Sequence, residues 1–299
     1  MADATSHLNE TAQVALQLSE EDRIERIRSS RWIGYSRAKK TLSQLEDMLT
    51  HPKTHRMPSL LIVGDTNAGK TMLANRFVQS HPAWDNPDGD AAVVPVVMVQ
   101  APPGPDESRL YNGILETLFV PHQPRDSVAK KQVQVLRILK HVGLRMLIID
   151  EIHNILSGPV SKQRQFLNVL KYLSNDLQIP LVGLGTKEAL RAIQADPQLA
   201  SRFTPVALPP WRIGREFLML LASFEQALPL RRPSKLIEER MARKLLAMSE
   251  GSLGELSALL TAGAIYAVRS GSEKINHKVL AALDWVSPSE RRLQAERLV

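Results

Sequence analysis

The stretch Gly64-Asp65-Thr66-Asn67-Ala68-Gly69-Lys70-Thr71 restricts the fold of this 299-residue chain more than any other. Its spacing, G-x-x-x-x-G-K-T, is that of a loop that wraps phosphate, and its flanks are those such a loop requires. Ser59-Leu60-Leu61-Ile62-Val63 before it is short and apolar, as a buried strand is. Met72-Leu73-Ala74-Asn75-Arg76-Phe77 after it has helical spacing. The glycines let the backbone curl so that successive N–H groups converge on one anion. The positive end of the following helix points at the same place. Lys70 then reaches the β and γ phosphates of a nucleoside triphosphate, and the Thr71 hydroxyl holds Mg²⁺. Residues Gly64 through Thr71 are the expected contact set.

The pattern around this loop is that of an α/β fold. Further strand candidates are Val93 to Val99, Arg145 to Asp150, Pro180 to Gly185 and Phe203 to Leu208, with helical stretches at about 106–119, 127–142 and 161–176 between them. Strands alternating with helices predict a parallel sheet flanked by helices. Past Pro209 only helical periodicity remains, at about 213–228, 234–249, 252–270 and 275–285. At the other end, Ser19-Glu20-Glu21-Asp22 reads as a helix start, and a second helix runs from about Ser36 to Leu49. Residues 1–18 are polar and weakly patterned, and a mobile segment is expected there. The expected organisation is an extension over 1–35, a nucleotide-binding α/β domain over 36–209, a small all-helical lid over 210–285 and a tail over 286–299. The tail either docks a partner or frays.

Composition narrows the chemistry. The chain has no cysteine, which excludes disulfides, thiol catalysis and cysteine-ligated zinc. Neither a leader pattern nor an apolar run of about 18 residues is visible, so a cytoplasmic protein with no membrane partner is expected. A formal charge of +7 favours a polyanionic partner.

Three further positions extend the site. Asp150-Glu151 closes an apolar strand, where the aspartate orients Mg²⁺ and the glutamate polarises the water that attacks the γ-phosphate. Thr186 follows the strand Leu181–Gly185. It either senses the γ-phosphate or caps the helix beginning at Lys187. Arg202 precedes the last strand. It either projects into a neighbouring subunit's nucleotide, with Arg191 as the fallback for that role, or forms a surface ion pair.

With the P-loop, Asp150-Glu151, Thr186, Arg202 and the helical C-terminal part in place, the chain resembles an AAA+ ATPase. More narrowly it resembles the TniB/TnsC transposition regulators. The likeness is carried by Arg31-Trp32-Ile33-Gly34-Tyr35, Met57 through Thr71, Leu147-Ile148-Ile149-Asp150-Glu151-Ile152-His153 and Ile179 through Thr186. The resemblance implies an ATP- and Mg²⁺-dependent protein, cytoplasmic and nucleoid-associated, that oligomerises on double-stranded DNA as a ring or helical filament. It implies recruitment of a DDE-type transposase and a TniQ-like target-selection protein. It gives Trp32, Ile33 and Tyr35 a role beside the adenine, against which stands plain packing of the first helix. Many AAA+ proteins carry an arginine in a G-x-x-R pattern of the third lid helix. Gly251-Ser252-Leu253-Gly254 puts Gly254 at that place, so slow hydrolysis, stimulated by DNA or a partner, is expected.

For DNA, the helix near 127–142 sets Val128, Val133, Leu136, Leu139 and Val142 on one side and Lys130, Lys131, Arg137, Lys140 and His141 on the rest. It is either a phosphate-tracking surface or an ordinary solvated face. Arg109 is a further candidate. Asp150-Glu151-Ile152-His153 has the D-E-x-H spacing of one helicase class, but the chain lacks room for a second RecA-like domain. The alternatives carried forward are a helicase- or clamp-loader-type ATPase and an ATP-bound DNA scaffold with little hydrolysis.

Overall fold

A computed structural model describes residues 6–87, 89–194 and 200–298. These fall into two compact units, one formed by 40–209 and the other by 1–39 together with 210–299.

The 40–209 unit is a five-stranded, wholly parallel sheet in the order β2-β3-β4-β1-β5. Its strands are β1 (Ser59–Gly64), β2 (Val96–Gln100), β3 (Met146–Asp150), β4 (Leu181–Gly185) and β5 (Phe203–Leu208). Four are continuous apolar runs, as strands covered on both faces must be. One face, including Leu61, Val63, Val97, Val99, Leu147 and Ile149, shares a core with the helices that follow β2, β3 and β4. On the other, Leu60, Ile62, Met146, Ile148, Val182 and Leu184 are equally buried.

In chain order the first helices are α1 (Glu10–Ala15), α2 (Glu20–Arg28), α3 (Ser36–Leu49) and α4 (Lys70–Ser80), followed by α5 (Glu107–Thr117), α6 (Val128–His141), α7 (Val160–Leu177) and α8 (Lys187–Gln194). The strand expected from Val93 begins instead at Val96. Val93 is taken by an antiparallel bridge to Trp84, and Val94 N bonds back to Val142 O. A 3₁₀ segment, Ile152–Ser157, follows β3. Gly183 and Gly185 make room for it. A Cβ on Gly183 would meet Ile152 Cδ1 at 3.0 Å, and one on Gly185 would meet Ile152 Cγ2 at 3.1 Å.

The second unit is all helical. To α1 and α2 it adds α9 (Arg215–Ala227), α10 (Glu239–Ser249), α11 (Leu253–Arg269), α12 (His277–Ala281) and α13 (Pro288–Glu296). One expectation is corrected here. Residues 1–18 are not without structure: Asn9 caps α1, Leu8, Ala12 and Leu16 form a buried cluster, and Asn9 N bonds to Gln226 O. The tail carries α13, which opens with a Ser287/Glu290 capping box. Residues 1–5 and 299 of those segments lie outside the described residues. The N-terminal helices are tied in by Arg23, whose buried guanidinium donates to both Glu273 oxygens at 3.1 and 2.6 Å.

Candidate nucleotide site

The site lies at the carboxyl end of the sheet, where the order reverses between β1 and β4 and an open α/β sheet leaves a crevice. Gly64 ends β1 and could carry no side chain. A Cβ there would stand 2.9 Å from both Ala68 Cβ and Leu208 O. Gly69, at φ 89°, and Asn67, at φ 62°, make the left-handed turns that close the loop. Asp65 O accepts from Ala68 N at 3.2 Å. Helix α4 then starts at Lys70 with no side-chain cap on its first amides. Thr66 is exposed, as is Asp65, which pairs with Lys187 at 3.6 Å.

Lys70 is buried, and its Nζ donates to Gly64 O and Asp65 O, each at 2.9 Å. The Thr71 hydroxyl donates to Asp150 Oδ2 at 2.7 Å. The two residues expected at Mg²⁺ are therefore in direct contact. The other Asp150 oxygen accepts from Glu151 N at 2.8 Å, which helps hold Glu151 at φ 53°, a conformation rare for a residue with a side chain. Glu151 Oε2 is 3.2 Å from His153 Nε2.

Thr186 stands at the tip of β4. Its Oγ1 is buried and makes no hydrogen bond, and the same is true of His153 Nδ1. The hydroxyl therefore does not serve as a helix cap. It draws the exposed Glu188 carboxyl below its ordinary range, an attraction that stops short of hydrogen-bond geometry. A glycine cradle with no space for a Cβ, a lysine held only by carbonyls, an acid–hydroxyl pair and an orphaned hydroxyl fit a magnesium-bound triphosphate. Lys70 and the loop amides would hold its phosphates, and Thr71 and Asp150 its metal.

Other expected residues lie elsewhere. Arg202 sits at the amino end of β5, beside the start of β1, and its Nη1 donates to Asn175 Oδ1 at 2.7 Å. It is at the opposite end of the sheet from Lys70. Arg191 is on α8, which follows β4. Trp32, Ile33 and Tyr35 belong to the helical unit, where Tyr35 is buried edge-on to Trp211 with ring centroids 5.1 Å apart. For Tyr35, packing is what the contacts describe. Gly254 falls in the first turn of α11, which Ser252 caps.

The DNA candidates need correction. Lys131 is buried, its Nζ donating to Ser108 Oγ at 2.9 Å and Pro124 O at 3.0 Å, so it presents no charge to a polyanion. The inward face of α6 is Lys131, Val135, Leu136 and Leu139, while Val133 is exposed. Lys130 and Arg109 are exposed but paired, with Asp126 at 2.7 Å and Asp106 at 3.5 Å. Arg137 is exposed.

No group of three or more metal-ligating side chains occurs among the described residues, and no single helix there is long and apolar enough to cross a membrane.

A parallel sheet in this order, with a P-loop after its first strand, an Asp-Glu pair ending the third and a following helical part, defines an AAA+ P-loop ATPase fold. The same fold is found in the Aeropyrum pernix ORC2 protein, solved as ADPNP–ADP complexes. That likeness has a TM-score of 0.58 and 16% identity, over 86% of this chain and 70% of that one. Cdc6p from Pyrobaculum aerophilum matches with a TM-score of 0.59 and 16% identity, over 84% and 68%. Drosophila ORC bound to DNA matches with 0.55 and 12%, over 97% and 70%. The profile described as "Bacterial TniB protein" matches residues 23–213, and the chain belongs to that family. Among curated proteins there is no match.

Proposed function

We propose that the chain is an ATP-gated, DNA-binding regulator of transposition. On this reading it binds ATP and Mg²⁺ in the Gly64–Thr71 cradle and assembles head to tail on duplex DNA as a ring or helical filament. It recruits a DDE-type transposase, in concert with a TniQ-like target-selection protein. Family membership, the +7 charge and the likeness to a DNA-bound assembly support it.

The observation that carries the reading is the separation of Arg202 from Lys70. β5 has six residues, about 20 Å of extended chain at the usual rise. An arginine at its start cannot reach the cradle at the far end of the same sheet. It can complete only the site of another copy, and contacts of that head-to-tail kind close into rings or run on as filaments.

Bound ATP with its magnesium supplies the γ-phosphoryl group and the charge that the side chains organise. Lys70 offsets phosphate charge, Glu151 orients a water and takes its proton, and the free Thr186 hydroxyl contacts the γ end. Arg202 of the neighbour stabilises charge as the bond breaks. Gly254 stands where the G-x-x-R pattern has its cis arginine, which keeps hydrolysis slow and suits a timed switch.

The test uses two variants, alone and mixed. Glu151→Gln is expected to stop hydrolysis while ATP-dependent assembly on duplex DNA, followed by sedimentation, persists. Arg202→Ala alone is expected to lose about a thousandfold in turnover. Mixing them restores hydrolysis, because Arg202 of the Glu151→Gln copies serves the intact Glu151 of the Arg202→Ala copies next door. Assembly lost in Glu151→Gln, or a mixture as inactive as its components, would overturn the reading.

A further inference from the structure

The sheet has two edges, and among the described residues one of them, β5, is guarded. At β5, Ser59 N donates to Arg202 O, so Thr204 and Val206 turn their backbone groups toward β1 while Phe203, Pro205 and Ala207 turn theirs outward. The middle outward residue is a proline, which has no N–H to offer an incoming strand. At β2, Ala101 N donates to Asp150 O, and Pro95 O accepts from Arg145 N and Met146 N. By that alternation Val97 and Val99 face β3, and the N–H and C=O groups of Val96, Met98 and Gln100 point away from the sheet. None of the three is proline or charged, and β2 is the last strand on its side.

Natural edges of this kind are blunted by proline, charge or a covering element. β2 borders an open groove of about 770 Å³ instead. Val78 of α4 and Leu118, just past α5, stand among its walls, and Asp150 and Glu151 lie at the end near Gln100. Just before the strand, the chain pairs with itself once. Trp84 and Val93 exchange both backbone hydrogen bonds, at 3.1 and 2.9 Å, in antiparallel sense. The pairing goes no further. Next to the groove residues Ala83 and Leu118 stand two aromatics in solvent, Trp84 at 52% and Phe119 at 94% exposure. Phe119 also holds φ at 55°, an uncommon conformation for a bulky side chain.

We propose that the β2 edge receives an extended peptide of a protein partner as a sixth strand. Main-chain bonds to Val96, Met98 and Gln100 supply the affinity. The apolar walls select small apolar side chains at alternate positions. Among the described residues no lysine or arginine lines the groove, and without nucleotide its charged end offers two carboxylates, so the peptide bears a basic residue there. On the functional reading above, that residue lies beside the water-activating Glu151. Strand addition does not depend on that reading.

The experiment uses the full chain without nucleotide and a synthetic probe, the blocked heptapeptide Thr-Val-Thr-Val-Thr-Val-Arg. Amide exchange is followed by NMR. Saturating peptide is expected to slow the Val96, Met98 and Gln100 amides about tenfold or more, while Val97 and Val99, already bonded to β3, exchange slowly throughout. Two further peptides fix the geometry. N-methylation on one set of alternate residues blocks the bonding edge and abolishes binding, and N-methylation on the other set is tolerated. Met98→Pro in the protein removes an outward donor and is expected to lose the peptide. Unchanged exchange at millimolar peptide, or equal binding of both methylated forms, overturns the proposal. Those outcomes would leave hydrolysis, and the reading of the nucleotide site, untouched.

Discussion

Lys70 and Lys131 are the two lysines among the described residues that are buried, and they do opposite things. Neither has a carboxylate partner there, and each ammonium is held by two neutral oxygens. Lys70 bonds to Gly64 O and Asp65 O, and Lys131 to Ser108 Oγ and Pro124 O. An ammonium taken out of water without a counter-charge is costly. At Lys70 both acceptors belong to its own loop, the helix that Lys70 begins has uncapped amides, and an orphaned hydroxyl, that of Thr186, lies just past the end of the neighbouring strand. On the proposed reading, that charge is stored for an anion. At Lys131 the acceptors belong to two other segments, the first turn of α5 and the loop before α6. The lysine ties them to its own helix. The chemistry of the side chain is the same, and the surroundings decide between ligand site and staple.

The comparison breaks most visibly at Lys70. Lys70→Ala is expected to weaken ATP binding about a hundredfold or more, since it removes a desolvated positive charge from the phosphates. Titration with a fluorescent ATP analogue measures it, and circular dichroism should show an intact fold. Affinity within a few-fold of the parent chain would mean that Lys70 is as structural as Lys131.

Lys131→Met runs the other way. It keeps the length of the side chain but leaves Ser108 Oγ and Pro124 O without their donor. The expected cost is about 2 kcal/mol, or several degrees in Tm, with ATP affinity unchanged. A loss of nucleotide binding without a loss of stability would reverse the assignment of the two lysines.

The sequence carried the sheet and the cradle for a physical reason. Strands buried on both faces must be continuous apolar runs, and a loop that wraps phosphate must place glycine and lysine at fixed spacing. It did not carry the inward face of α6. A hydrophobic pattern counts Val133 as core and Lys131 as surface; acceptors supplied by Ser108 and Pro124 draw Lys131 inward, while Val133 is exposed. Helix α1 escaped because its buried side, Leu8, Ala12 and Leu16, is sparse and part of what holds it is more than 200 positions away, as the bond from Asn9 N to Gln226 O illustrates. The Arg23–Glu273 pair is as remote. Arg202 was legible as a candidate, but only the parallel register of β5 with β1 puts it at the end of the sheet away from its own cradle.

The smallest expected effect concerns the cations that α6 still offers once Lys131 is withdrawn. Lys130 is paired with Asp126, and Lys140 with Asp176, both at 2.7 Å. Arg137 is exposed and, among the described residues, has no ion pair. A phosphate contact from this face therefore falls first to Arg137. Arg137→Ala is expected to lower the salt dependence of duplex binding by about one unit of slope, equally for unrelated sequences, because a backbone contact releases counterions without reading bases. Lys131→Met should leave that slope unchanged. Binding isotherms across a range of salt concentrations separate the two outcomes: a slope that moves with Lys131 and not with Arg137 would place the DNA path on the inward side of the helix, where the packing of Val135, Leu136 and Leu139 leaves no room for it.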